Sequence, residues 1–452
     1  MRRKSRGLDS WWAVFAVFAS TYALTAHWYG INNIDSIATA WPAWVFAHSG
    51  SFHLEDHVLP DVAWFIQSAD GHTVSNRMAG VVLIGVPAQL LMLPLDVHPL
   101  TPSVLTAVLV TAAAVANLWL LVRRSTGDRC LAWAAALAVG LGTGLWPNAS
   151  AELWTHGPAA LWLSAAMLAL QRERWWIAGV GLGAAVWTRP HLALVAAAVG
   201  LLLSARRRSL RPALVIGAVT GGSLFALVLW NAWLYGRATI GGGYSGRVAA
   251  ATEVSTAAAS DLLESAAGSL FSPLHGALVY SPVLVLMLLA LLVGRRAISD
   301  WAGAAACGGA LYQVAQWQVN GFTGGAGFYS YRLPLECIVL CTPAAVQAYT
   351  SWRSSTPKVA PWARTLAGLG VGLHAVGVFW YRPLGPRGQM PDPWRTWEPV
   401  YAVQERGALG TVVAVILLAL VVVLARTRWN ALTDGLRRAR ARTRALSAAA
   451  PS

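Results

Sequence analysis

The first residue in this chain with clear chemical potential is Asp35, in the segment Ile31-Asn32-Asn33-Ile34-Asp35-Ser36 that follows the apolar run Trp11 to Tyr29. A helix of that length delivers the carboxylate to a membrane surface. There it can act as general base on an acceptor hydroxyl. Equally, Asp35 or Ser36 can cap a helix starting at Ile37. A second acid, Glu152, lies in Pro147-Asn148-Ala149-Ser150-Ala151-Glu152-Leu153-Trp154-Thr155-His156-Gly157-Pro158. Glu152 and His156 are four apart and share a face if the segment is helical. Such a pair can orient a hydroxyl, shuttle a proton or hold a cation. It can also be a helix-start acid beside an interfacial histidine.

A cationic set accompanies the acids: Arg77, Arg189, Arg237, Arg247 and Arg332. A planar fork of donors suits a lipid phosphate, and snorkelling at the interface is the alternative use. Arg332 follows the glycine-rich stretch Asn320 to Tyr331, whose backbone can approach an anion closely. His53 and His57 stand at i and i+4 and would share a helical face, but the spacing supplies no third metal ligand. The four cysteines form neither a disulfide framework nor a tetrahedral metal pattern.

The elements that must position these residues are apolar. The 452 residues are 56% hydrophobic and 12% charged, with a mean hydropathy of +0.52. No soluble domain could bury that much apolar surface, so the composition implies an all-α polytopic membrane protein. Runs of spanning character are Trp11 to Tyr29, Thr101 to Val122, Cys130 to Trp146, Gly157 to Leu170, Trp175 to Thr188 and His191 to Ser204. Pro212 to Trp233, Val279 to Val293, Trp301 to Gln318, Leu333 to Thr350, Trp362 to Trp380 and Leu409 to Ala425 complete about twelve. The run Gly80 to Leu95 is interrupted by Pro87 and Pro94 and reads as a re-entrant or juxtamembrane helix. The stretch Ile37 to His48 reads as an amphipathic surface segment.

The net charge of +15 falls in short clusters between the runs and in a basic tail. This is the distribution of cytoplasmic loops, and it excludes a nucleic-acid surface. With both termini cytoplasmic, the arginine clusters sort inside. Almost every residue of chemical potential then sorts to the outer face, including the first outer loop, residues 29–100. That loop begins with a polar stretch, Tyr29 to Arg77, holding five of the nineteen acids. This one-sidedness favours an enzyme working at the outer leaflet over a transporter with midplane polar residues. Residues 1–425 are read as one membrane domain and residues 426–452 as a cytoplasmic tail.

An ordered set of loose motifs then resembles the GT-C-type membrane glycosyltransferases, in the manner of the lipid A aminoarabinose transferase and protein mannosyltransferase superfamily. The set comprises Asp35 after the first helix and Gly71-His72-x-x-Ser75-x-x-x-x-Gly80 leading to Pro87. Next come Glu152 before Leu-Trp-Thr-His156-Gly157-Pro, then Trp187-Thr188-Arg189-Pro190, and Asn231 with Tyr235-Gly236. Ser272-Pro273-Leu274-His275-Gly276 and the span Gly324 to Arg332 close it. The resemblance implies a bundle with juxtamembrane helices in the first loop. It implies transfer of a hexosyl or pentosyl group from a polyprenyl-phosphate donor to a glycan, lipid or protein acceptor at the outer face of the plasma membrane. Asp35 would be the base, and Glu152, the second catalytic residue, would help position the acceptor or donor. His156, Arg77, Arg189, Tyr244, His275, Tyr329 and Arg332 would bind substrate. Where relatives read Tyr-x-Lys-Pro-Pro or Tyr-Pro-Pro-Gly, this chain reads Asn76-Arg77-Met78-Ala79-Gly80. No cofactor is required, although a divalent cation is compatible. A lipid-linked glycan flippase or a small-molecule permease is the non-enzymatic alternative.

Overall fold

The computed structural model describes residues 9–28, 33–244, 259–322, 328–380 and 392–404, with single positions up to 423. Among these residues the chain is nearly all helical, and its one sheet is a two-stranded hairpin. The helices and strands run α1 (Trp11–Thr25), α2 (Ile34–Ser49), β1 (Phe65–Gln67), β2 (Thr73–Ser75), α3 (Ala79–Met92), α4 (Leu100–Thr126) and α5 (Arg129–Gly140). They continue with α6 (His156–Leu170), α7 (Trp175–Thr188), α8 (Ala193–Arg207), α9 (Arg211–Tyr235), α10 (Ala259–Phe271) and α11 (Ala277–Tyr280). The remainder are α12 (Val283–Val293), α13 (Asp300–Asn320), α14 (Leu335–Ser355), α15 (Val359–Trp380) and α16 (Glu398–Gln404).

The bundle is organised around α4. Ala112, Ala114 and Ala116 are fully buried, and such small side chains let α1, α5 and α6 approach its backbone. The opposite case is α9, which packs on α7 and α8 but turns Phe225, Leu229 and Trp233 outward. These two helices, α4 and α9, are long and apolar enough to cross a bilayer, and six shorter helices are apolar as well.

The expected spans therefore appear mostly as helices in the right places, but among the described residues only α4 and α9 combine crossing length with sufficient apolarity. Local chemistry explains the shortfall. Val279 to Val293 is split between α11 and α12 at Ser281-Pro282, because proline lacks an N–H and keeps its predecessor out of the helical region. Cys130 to Trp146 ends at Gly140 and resumes as a π-turn over Leu145–Ala149. Gly80 to Leu95 forms α3, with Pro87 inside it, followed by a tight turn at Leu93–Leu95. The tail, Arg247, Gly324, Gly325, Gly327 and most of Leu409 to Ala425 lie outside the described residues.

The first loop is more structured than its sequence suggests. Helix α2 starts three residues before Ile37, and its cap is Asn33, whose side chain accepts from the Asp35 N–H at 2.8 Å. Asp35 is therefore released from the capping role. Gly50, at φ +72°, ends the helix in the left-handed conformation that glycine adopts without a Cβ clash. The strands β1 and β2 pair antiparallel with Phe65 opposite Ser75 and Gln67 opposite Thr73.

Candidate active site

The motif Gly71-His72-x-x-Ser75-x-x-x-x-Gly80 builds the platform for the site. Gly71 makes the hairpin turn at φ +84°. Ser75, buried, donates its hydroxyl to the Ala38 carbonyl at 2.6 Å and accepts from the Arg77 N–H at 3.2 Å, tying the hairpin to α2. Tyr235, at the end of α9, donates its hydroxyl to the carbonyls of Ser75 (2.9 Å) and Arg77 (3.2 Å). At Gly80 a Cβ would fall 2.6 Å from the Trp187 carbonyl carbon, so only glycine lets α3 meet the end of α7 this closely. Each element of the platform fixes where Arg77 stands.

Asp35 then meets two arginines from distant segments. Arg77 Nη1 donates to Asp35 Oδ1 at 2.7 Å, and Arg332 Nη1 donates to Oδ2 at 3.2 Å. Both guanidiniums are flanked by aromatic rings. Arg77 lies 4.7 Å from the Trp64 ring and 4.9 Å from that of Tyr244. Arg332 lies 4.5 Å from Trp154 and 4.6 Å from Phe328. Stacking of this kind contributes about 0.5 to 2 kcal/mol per contact, more as water is removed. Asn76 Oδ1 additionally accepts from Nε and Nη2 of Arg77, at 3.0 and 2.9 Å.

The Asp35 side chain keeps 21% of its surface exposed, so a ligand can reach it. Burial by itself would push its carboxyl up, but the positive charges of Arg77 and Arg332 outweigh that and hold it below its ordinary value. Arg332 shows the reverse balance: loss of solvent lowers its pKa, and Asp35 offsets only part of the effect. One carboxylate thus accepts from two guanidiniums. Arg77 also helps to line a small, mostly apolar cleft, together with Pro42, Phe52, Val82, Trp230 and Leu234.

Glu152 occupies a different role from a free acid. Its Oε2 accepts from the Asn33 N–H (3.0 Å), the Ser36 hydroxyl (2.5 Å) and the Trp154 indole (3.2 Å), and its Oε1 lies 3.5 Å from His27 Nδ1. Those partners hold the start of α2 and one of the rings on Arg332. Glu152 and His156 do not share a helical face, because α6 begins only at His156 and Glu152 lies in the bend before it.

His156 belongs to a second cluster. Its Nδ1 is 2.9 Å from Glu336 Oε1, and Arg189 Nη1 is 2.9 Å from that oxygen and 3.1 Å from the imidazole nitrogen. Arg189 Nη2 also reaches Gln316 Oε1 at 3.4 Å. Glu336 has no solvent exposure. The sequence reading missed this residue because it stands inside the apolar run Leu333 to Thr350. The signal available was an acid four residues after Arg332.

The remaining candidates are placed as follows. Tyr244 forms one face of the Arg77 stack. His275 stacks on Phe328 with ring centroids 4.7 Å apart, and its Nδ1 lies 2.6 Å from the Ser330 carbonyl oxygen. Burial lowers its pKa to about 4, so at neutral pH it is an uncharged ring behind the Arg332 stack. Tyr329 donates its hydroxyl to the Leu373 carbonyl at 2.8 Å and packs against Tyr280. Trp64, Asn76, Trp154 and Phe328 were not singled out from sequence, yet they hold the two arginines.

No family model matches the chain, and no curated protein matches it. Among solved structures, the chain is similar to the archaeal oligosaccharyltransferase AglB from Archaeoglobus fulgidus in complex with an inhibitory peptide and a dolichol-phosphate. That alignment has a TM-score of 0.48 and 13% identity, and covers 92% of this chain and 55% of the other. It is similar also to the apo form of the oligosaccharyltransferase of that organism, with a TM-score of 0.49, 13% identity, and 94% and 57% coverage. The chain spans little more than half the length of either structure.

Proposed function

We propose that this protein is a membrane glycosyltransferase that moves a sugar from a polyprenyl-phosphate donor to an acceptor hydroxyl at the outer face of the membrane. The observation that carries the reading is the Asp35 cluster, in which two guanidiniums converge on one partly exposed carboxylate beside an apolar cleft. That combination suits an amphiphilic anion: an apolar tail in the cleft and a phosphate at the guanidiniums.

In this mechanism Arg77 and Arg332 move part of their hydrogen bonding from Asp35 to the donor phosphate. The acceptor oxygen attacks the anomeric carbon as the bond to the phosphate oxygen breaks. Phosphate leaves as an anion that the two guanidiniums neutralise, which lowers the barrier electrostatically. Asp35, ionised at neutral pH and relieved of part of its pairing, takes the proton from the acceptor hydroxyl. Attack opposite the leaving group inverts the anomeric centre. Glu152 supports the reaction by fixing the start of α2, on which Asp35 is mounted.

The test uses membranes supplied with labelled polyprenyl-phosphate sugar. Asp35→Asn is expected to lower transfer by about 10²- to 10⁴-fold, the usual contribution of a positioned base. Transfer at near wild-type rate would remove Asp35 as the base. Failure of the wild-type protein to consume any such donor, with transport of a lipid-linked glycan or small solute instead, would replace the transferase reading with the permease one.

A further inference from the structure

The loop after α2 and the hairpin turn bring together a second set of reactive side chains. His53, Glu55 and His72 each offer one ligand atom, and these atoms lie within 4.8 Å of one another. His72 Nδ1 and Glu55 Oε1 are 2.7 Å apart, and the two imidazoles stack with centroids 3.9 Å apart and planes 10° from parallel.

The backbone sets this convergence. The Leu54 N–H donates to the Thr73 carbonyl at 2.9 Å, and Glu55 Oε2 accepts from the Thr73 N–H at 3.1 Å. Leu54 is fully buried, which leaves its neighbours His53 and Glu55 at the surface beside the hairpin. On the other side, Ser68 and His72 exchange hydrogen bonds of 2.8 and 3.1 Å across the turn at Gly71. The surrounding charge is also selective. Residues 51–76 hold four acids and three histidines but no lysine or arginine, in a chain of net charge +15. The i, i+4 partner suggested by spacing, His57, packs instead on Trp44 at 5.4 Å.

We propose that His53, Glu55 and His72 form a site for a divalent transition-metal ion, zinc being the best match to two imidazoles and a carboxylate, with water as fourth ligand. Zinc–ligand bonds of about 2.0 to 2.2 Å separate tetrahedral ligand atoms by a little over ~3 Å. The bound ion clips the loop after α2 to the hairpin, and β2 leads two residues later to Arg77. This site stands independently of the transferase reading.

The experiment is a zinc titration of the full-length, chelator-stripped protein in lipid nanodiscs, followed calorimetrically and by the visible bands of cobalt substituted for zinc. One equivalent is expected to bind saturably, and zinc is expected to slow hydrogen exchange across residues 51–77. His72→Ala and His53→Ala should each weaken binding by at least about 10- to 100-fold. Asp56→Asn and His57→Ala, on the same loop but outside the ligand set, should leave binding close to wild type. Absence of saturable binding to the wild-type protein overturns the proposal. So does binding that survives in the His53→Ala/His72→Ala double variant while its hydrogen-exchange pattern without zinc matches wild type.

Discussion

Two carboxylate–arginine clusters lie in the same bundle, and solvent separates their roles. Asp35 meets Arg77 and Arg332 with 21% of its side chain exposed, whereas Glu336 meets Arg189 and His156 with none. The first cluster sets two guanidiniums, flanked by flat aromatic rings, on a carboxylate that solvent reaches, so a new anion can compete for donors already in place. In the second, one carboxylate balances one guanidinium away from water, which ties α6, α7 and α14 together. The contrast teaches that charge type and proximity do not make a site. Access does.

The comparison breaks if the clusters respond alike to loss of their carboxylates. The largest expected effect is the loss of transfer in Asp35→Asn described above, with a smaller fall in the unfolding midpoint than the next variant causes. Next is Glu336→Gln, which leaves Arg189 buried without its countercharge. That should cost about 3 to 5 kcal/mol of stability, read as a lowered thermal midpoint of the purified protein in detergent. Equal destabilisation by both variants would erase the distinction drawn here.

A smaller effect sharpens the electrostatics. Asp35 is held below its ordinary value, so its stabilising contribution is complete above about pH 4, the unfolded value, and is lost as the pH falls through the lower folded value. The acid limb of transfer should therefore lie below about pH 4. Arg332→Ala removes one of the two cations and should move that limb upward, while Arg332→Lys should move it less. A limb that stays fixed would mean that the arginine does not govern the carboxylate. The smallest effect belongs to the stack. Tyr244→Leu removes one ring from Arg77 and should raise the KM for the donor by roughly 2- to 30-fold, the equivalent of about 0.5 to 2 kcal/mol.

Much of this was legible in the chain itself. Arg77 and Arg332 stood out because they run against the charge pattern of the remaining loops, and Asp35 because it follows the first apolar run. Their meeting was beyond local reading, since Asp35 and Arg332 are 297 residues apart. Helices α6, α7 and α13 fall within a few residues of their apolar runs. The hairpin was not foreseen, because three-residue strands are too short to show alternation. Glu336 was hidden for a physical reason: a buried acid among apolar neighbours looks like part of a span until its partners arrive from other helices.

The rings around Arg332 have a further consequence for motion. Contact with Trp154 and Phe328 resists displacement of the guanidinium away from their faces, yet changes little when it turns within its own plane. Hydrogen bonds do the opposite, being sensitive to direction. Place and aim are thus governed by separate forces, and the group can be redirected without being rehydrated.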